Sequence, residues 1–328
     1  MSRLWLLVLC LTACGRYAEF QLPEPHGEPT KSFRWEAVPP PVLLRGAPGE
    51  WDHADVLNPA IVRHGGRYLC LYSGFDGATW HTGLAESPDG LVWEKQGRVL
   101  SPDASTWEGA YIAANGAAVA RGETIFYWYH AGPRDRPAIG LATSPDGRTW
   151  RREPAPVLEP GPRGSWDERG VADPFVVEAD GWFHLYYLGQ DRARRQRLGV
   201  ARSRDGVRWH KHRGNPLLEL GESGAADENG LGEPAVWRSH GAWWMLYTAR
   251  AFDERRRLVL ARSADGIAWK KMPVTIAGGE DWNRAVVCDA EIALEDGHVR
   301  VWFGGGDRPS PDENLSGQIG AGRLVPEP

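Results

Sequence analysis

Short apolar stretches alternate with polar turns along nearly the whole chain, and the turns fall into two repeating kinds. The first has the form Ser-x-Asp-Gly-x-x-Trp and occurs at 87–93, 144–150, 203–209 and 263–269. Asp caps its own backbone there, Gly takes a positive φ without steric cost, and the closing Trp sits on the strand that follows. The second is a tight hairpin, such as His64-Gly65-Gly66 or Ala179-Asp180-Gly181. It leads into an apolar strand ending on Tyr72, Tyr129, Tyr187, Tyr247 or Phe303. Before each hairpin lies a strand that begins near Asn58, Asn115, Asp173, Glu233 or Asp289.

This pattern predicts five units of four short strands, A to D. Trp93, Trp150, Trp209 and Trp269 follow at intervals of 57, 59 and 60 residues. The fifth unit has no such Trp segment after Gly320. Ser32-Phe33-Arg34-Trp35-Glu36 supplies one from the other end of the chain, with Trp35 standing 58 residues before Trp93, in register. The expected fold is all-β: a five-bladed β-propeller with four-stranded blades, the last closed by the N-terminal strand. Closure of this kind ties the chain ends together and removes open sheet edges. A unit of about 60 residues hardly buries enough surface to fold alone.

Composition sharpens this picture. The 40 Gly and 25 Pro suit the two turn types, and five of the 17 Trp take one place per unit. The net charge of −5 argues against a nucleic-acid partner, which needs a basic face. No apolar run reaches the roughly 20 residues of a membrane-spanning helix. At the N-terminus, Met1-Ser2-Arg3 is positive and Leu4 to Leu11 is apolar. Leu11-Thr12-Ala13-Cys14 then resembles a bacterial lipobox, whose Cys is lipidated. The expected organisation is a lipoprotein signal peptide at 1–13, a lipidated Cys14 with a semi-extended tether at 14–30, and the propeller at 31–328. The chain is thus expected to be an exported, monomeric lipoprotein held to the cell envelope, with Gly15 favouring the outer membrane. Cys70 and Cys288 form neither a disulfide framework nor a metal motif. Two buried small side chains or a single bridge are both open.

In such a blade strand A is innermost, and the connectors into A and the B-to-C loops share one face. Those loops are long and variable, so function is expected there, at the mouth of the central channel. Strand A places Asn58, Asn115, Asp173, Glu233 and Asp289 at one equivalent, channel-facing position. Carboxylates that converge in a cleft repel, which raises at least one pKa and pairs a protonated acid with an ionised base. Glycosidic bond cleavage needs that pair. Trp51, Trp107 and Trp166 open equivalent approach loops and could stack on sugar rings. His130 and Arg250 are further candidates for sugar contacts. The Arg-rich B–C loops, including Arg192, Arg194, Arg195 and Arg197, are read as solvated hairpin tips, with an anionic glycan as the alternative. No His/Asp cluster has metal spacing, and no cofactor is expected, with a channel-bound cation left open.

These residues carry a resemblance. The chain resembles the five-bladed propeller glycosidases of glycoside hydrolase families 32, 43, 62 and 68 over its whole mature domain. The resemblance to family 43 implies a pKa modulator at Asp173-Pro174 and a general acid at Glu233-Pro234. Asn58 departs from it, standing where a base Asp belongs, and an amide cannot take up a proton usefully. Asp55 is the expected substitute, with Asp52 and Asp289 as the other choices. The leading function is therefore inverting hydrolysis of an extracytoplasmic oligo- or polysaccharide. Non-catalytic glycan binding comes second. Third is phosphorolysis like that of the family 130 mannoside phosphorylases, which the chain also resembles through its Asn-Pro on blade one.

Overall fold

The computed structural model describes residues 15–295 and 297–327. Met1 to Cys14, with the expected signal peptide and lipidation residue, lie outside the described residues. The fold is all-β, interrupted among the described residues only by a 3-10 turn at Asp281–Asn283. Strands pair antiparallel with their chain neighbours in successive units. The first unit joins Asp55–His64, Arg67–Phe75, Trp80–Ser87 and Glu94–Leu100. The second joins Ala113–Arg121, Thr124–Ala131, Ala138–Ser144 and the short Arg151–Arg152. Gly170–Ala179, Trp182–Gln190, Gln196–Ser203 and His210–His212 make the third. Gly230–Ser239, Ala242–Arg250, Arg256–Ser263 and Trp269–Ile276 make the fourth. In the fifth, Val286–Glu295, His298–Gly306 and Gln318–Glu327 are followed by Ser32–Leu43, with Trp35 opposite Leu324. The first strands of the units pack side by side in chain order, and Val286–Glu295 packs against Asp55–His64.

The Ser-x-Asp-Gly turns show why that pattern repeats. Ser87 Oγ accepts from the N–H groups of Asp89 and Gly90, and Asp89 Oδ1 accepts from those of Leu91 and Val92. The same four bonds recur around Asp146, Asp205 and Asp265. The turn glycines all take positive φ, between 73° and 78°. Their carbonyls also join neighbouring units: Gly206 accepts from Trp128 Nε1, Gly266 from the Tyr186 hydroxyl, and Gly90 from Trp302 Nε1.

A second device appears in the first four units. Asp52, Glu108, Asp167 and Asp227 are buried in the loops that enter their units. They accept hydrogen bonds from the hydroxyls of Tyr72, Tyr129, Tyr187 and Tyr247 on second strands. They also pair with Lys95, Arg152, Lys211 and Lys271 on fourth strands. Each entry loop is thereby pinned to two strands of its unit. Asn283 and Phe303 take the corresponding places in the fifth unit.

The expected tether is different. Residues 15–30 run across the third and fourth units instead of standing off them. Tyr17–Ala18 pairs parallel with Lys211 and His212. Phe20 and Leu22 are buried in a cluster with Tyr186, Met245 and Tyr247. Leu22 N donates to the Asp265 carbonyl at 3.1 Å, and Trp243 Nε1 donates to that of Pro23 at 2.9 Å. Two apolar side chains among the prolines, beside a strand edge with free backbone groups, outweigh the freedom of an extended tether. Cys70 and Cys288 are both buried and unbridged.

Candidate active site

The site begins with backbone. Asn58, Asn115, Asp173, Glu233 and Asp289 all adopt left-handed φ, between 46° and 53°. At each, the pairing of the first strand with the second slips, between Leu57/Ala60, Ala114/Gly116, Ala172/Phe175, Gly232/Ala235 and Cys288/Glu291. Such a bulge bends the strand and re-aims one side chain. Pro59, Pro174 and Pro234 follow three of the five, at a place where the ladder needs no donor. Left-handed φ at a non-Gly residue costs of order 1 kcal/mol or more, and strain of this kind gathers at functional sites. All five residues line a cavity of about 640 Å³, and all five also line a smaller one with Pro174, Pro234 and Glu291.

Four of the five are hydrogen-bonded in two pairs. Asn115 Nδ2 donates to Asp173 Oδ1 at 2.8 Å. The Asp289 N–H donates to Glu233 Oε2 at 3.3 Å and to Thr248 Oγ1 at 3.2 Å. The Cys288 thiol donates to Asp289 Oδ2 at 3.0 Å, and Asp289 Oδ1 has no partner among the described residues. Burial, and then the charge of Glu233, push Asp173 up to about 8. The same two causes raise Asp289 well above the ordinary carboxylate range. The buried Arg256 opposes both shifts. Donor atoms of Glu233, Cys288 and Asp289 lie within 4.8 Å of one another, close enough to share a cation, but Arg256 already supplies positive charge there.

His130 and Arg250 line the large cavity. Burial lowers His130 to about 4, which keeps it neutral. Arg250 is held by Glu254 through Nε and by Gln196 Oε1 at 3.3 Å.

Other expectations fail. Asp55 does not line the cavity. Its fully buried carboxylate accepts from Asn314 N at 2.6 Å and Gly317 N at 2.7 Å, so it fixes the loop before the Gln318–Glu327 strand. Asp52 is committed to Tyr72 and Lys95. Trp51, Trp107 and Trp166 do not line the cavity either. Their rings cover glycines of second and third strands: a Cβ on Gly74 or Gly83 would come within 2.5 Å of Trp51, and one on Gly189 or Gly199 equally close to Trp166. A Cβ on Gly140 would meet Trp107 at 3.0 Å. The signal was in the sequence, as glycine at matched places on both strands. The cavity wall also holds Tyr111, Arg169 and Gln190, none singled out by the motifs.

Residues 104–270 match the family model of glycoside hydrolase family 130, described as β-1,4-mannooligosaccharide phosphorylase. An uncharacterized protein of Mycobacterium tuberculosis is 26% identical over 229 residues, covering 65% of this chain and 75% of that protein. A 1,2-β-oligomannan phosphorylase of a Thermoanaerobacter species is 28% identical over 146 residues, 41% of this chain and 43% of that enzyme. A solved structure from work on family 130 glycoside hydrolases that target β-1,2 mannosidic linkages in Candida mannan superposes with a TM-score of 0.68. It covers 93% of this chain and 99% of its own, at 15% identity.

Proposed function

Because the chain belongs to glycoside hydrolase family 130, a family of carbohydrate-active enzymes, we propose that it cleaves a glycosidic bond of a mannoside oligosaccharide at the floor of its large cavity. The observation that carries this is the meeting of Asp173, Glu233 and Asp289 on one cavity floor, two of them raised by burial and then by the charge of the third. A protonated carboxyl beside an ionised one is the pairing that glycosidic cleavage requires. Asp173 is the acid that protonates the leaving oxygen. Glu233 is the partner carboxyl that activates water, and the Asp289 backbone N–H orients it. These roles reverse those implied by the family 43 resemblance, in which Glu233 holds the proton. The reaction is expected to invert the anomeric centre.

The scaffold belongs to the same proposal. The five units are read as blades of a closed propeller, supported by the packing of Val286–Glu295 on Asp55–His64 and by the Trp302–Gly90 bond. So does export as a lipoprotein, which rests on the sequence of residues 1–14. Loss of palmitate incorporation in Cys14→Ser would support it, and unchanged incorporation would refute it.

One observation favours phosphorolysis as a second reading. Asn58 lies on the cavity floor with an amide where a base would stand, and Asp55 is out of reach. Inorganic phosphate would then attack without a protein base. Incubation of the full chain with a panel of mannooligosaccharides, with and without phosphate, separates the two. Free sugar at equal rates in both means hydrolysis, and a sugar 1-phosphate formed only with phosphate means phosphorolysis. No cleavage in either, with glycan bound, leaves a binding protein and refutes both.

A further inference from the structure

Comparison of repeated positions around the cavity shows an imbalance of charge on one side of its mouth. Three positions on the third unit, Arg169, Gln190 and Arg194, correspond to Asn229, Arg250 and Glu254 on the fourth, and all six line the cavity. Arg194 and Glu254 even share the same backbone conformation, φ 64°. On the fourth unit the charges cancel, because Arg250 donates to Glu254. On the third unit the residue facing Arg194 is the neutral Gln190, and Arg169 replaces a neutral Asn. Two positive charges remain.

Neither Arg169 nor Arg194 makes a side-chain hydrogen bond or ion pair among the described residues, and the exposed Asp135 of the adjoining unit pairs with neither. The other arginines of the same hairpin are all engaged: Arg192 with Glu168, Arg195 with Asp191, and Arg197 with Asp191 and Glu219. The cavity's remaining arginines are likewise compensated. Arg134 pairs with Asp312 and Glu313. Arg256 faces the floor carboxylates and donates to the carbonyls of Ser310 and Pro311. The hairpin arginine that lines the cavity is therefore the one left unpaired. Arg194 also holds its position in a left-handed conformation that a Gly or Asn would adopt more cheaply.

We propose that the oligosaccharide this site takes is acidic, carrying a carboxylate or sulfate group that Arg169 and Arg194 hold at the mouth. The inference rests on the cavity being the glycan site of the proposed function. Guanidinium groups suit it because their planar donors grip such groups in pairs.

Isothermal titration calorimetry on the full chain tests this by binding alone, so its outcome stands whether or not a bond is cut. The probes are a uronic-acid trisaccharide, a sulfated trisaccharide, neutral mannotriose and inorganic phosphate alone. The expected result is that an acidic trisaccharide binds at least about tenfold tighter than mannotriose. Arg169→Gln and Arg194→Gln should each abolish that advantage while leaving mannotriose affinity in place. Arg194→Lys, which keeps the charge and loses the paired geometry, should fall between. Equal binding of acidic and neutral sugars overturns the proposal, as does indifference of the acidic sugars to all three variants. Arginine-dependent binding of inorganic phosphate alone overturns it too, and assigns the pair to phosphorolysis. Should the glutamine variants unfold, the Lys variant and the wild-type comparison still decide.

Discussion

The repeated acid–tyrosine–cation sites predict how much a lysine contributes to folding when only its burial changes. In the third unit the Lys211 side chain is 7% exposed and that of Asp167 is 1% exposed. Lys211 Nζ donates to Asp167 and, at 2.7 Å, to the Glu159 carbonyl. In the first unit Lys95 makes the same pair with Asp52 but is 29% exposed, and Lys271 in the fourth is 32% exposed. Lys211→Met would leave Asp167 ionised and buried, with the hydroxyls of Tyr187 and Ser165 as its remaining donors. Breaking a buried pair in this way costs about 3–5 kcal/mol. Asp52 and Asp227 are buried too, at 3% and 7% exposed, but their lysines are about a third exposed and already pair beside water. Water reaches the carboxylate once the ammonium is gone, so Lys95→Met and Lys271→Met should cost less, about 1 kcal/mol each. Guanidinium denaturation of the three variants measures this. In thermal terms Lys211→Met should lower Tm by roughly 5–8 °C and the other two by about 1–2 °C. Adding Asp167→Asn to Lys211→Met should recover part of the loss, because it removes the stranded charge. Equal losses at all three sites, or a silent Lys211→Met, would show that burial does not set the worth of these pairs.

Further predictions concern pH and packing. An acid held at about 8 is active while protonated, so kcat/KM should fall as pH rises through about 8, and Asp173→Asn should remove that limb along with most activity. Glu291, buried among the first strands, is also raised to about 8 from 4.5. Its folded form keeps a proton that the unfolded chain has lost between those values, so stability falls as pH rises through that window and stays lower above it. Glu291→Gln should therefore raise Tm more at pH 9 than at pH 5, and an equal effect at both would contradict the assignment. Gly189→Ala places a Cβ about 2.3 Å from Trp166 and 2.7 Å from the Asp167 side chain, and should cost about 1–3 kcal/mol by overpacking, read from denaturant midpoints.

Much of the framework was legible because the chain repeats itself. The Trp intervals marked the units, and the Asp–Gly pairs marked turns whose bonds depend on those two residues. The five strand starts identified the cavity floor, since identical positions in a repeated strand take identical directions. What a single position does within its loop was less legible. Asp55 reads as an available carboxylate, but its backbone donors come from Asn314 and Gly317, far along the chain. The entry-loop tryptophans read as sugar platforms until the glycines beneath them are seen to leave room for a ring. The tether failed because composition rich in Pro hid two apolar side chains, Phe20 and Leu22, that the third and fourth units bury. Arg169 carried no motif, and its meaning came only from its counterpart Asn229.

Cleavage of glycosidic bonds at the Asp173–Glu233–Asp289 floor is directly measurable. Product release from a mannooligosaccharide by the wild-type chain and by Glu233→Gln, measured side by side with binding, tests it most directly. The wild type should cleave, and the variant should lose about 10²–10⁴-fold in kcat with glycan affinity retained. Full turnover by Glu233→Gln would contradict it.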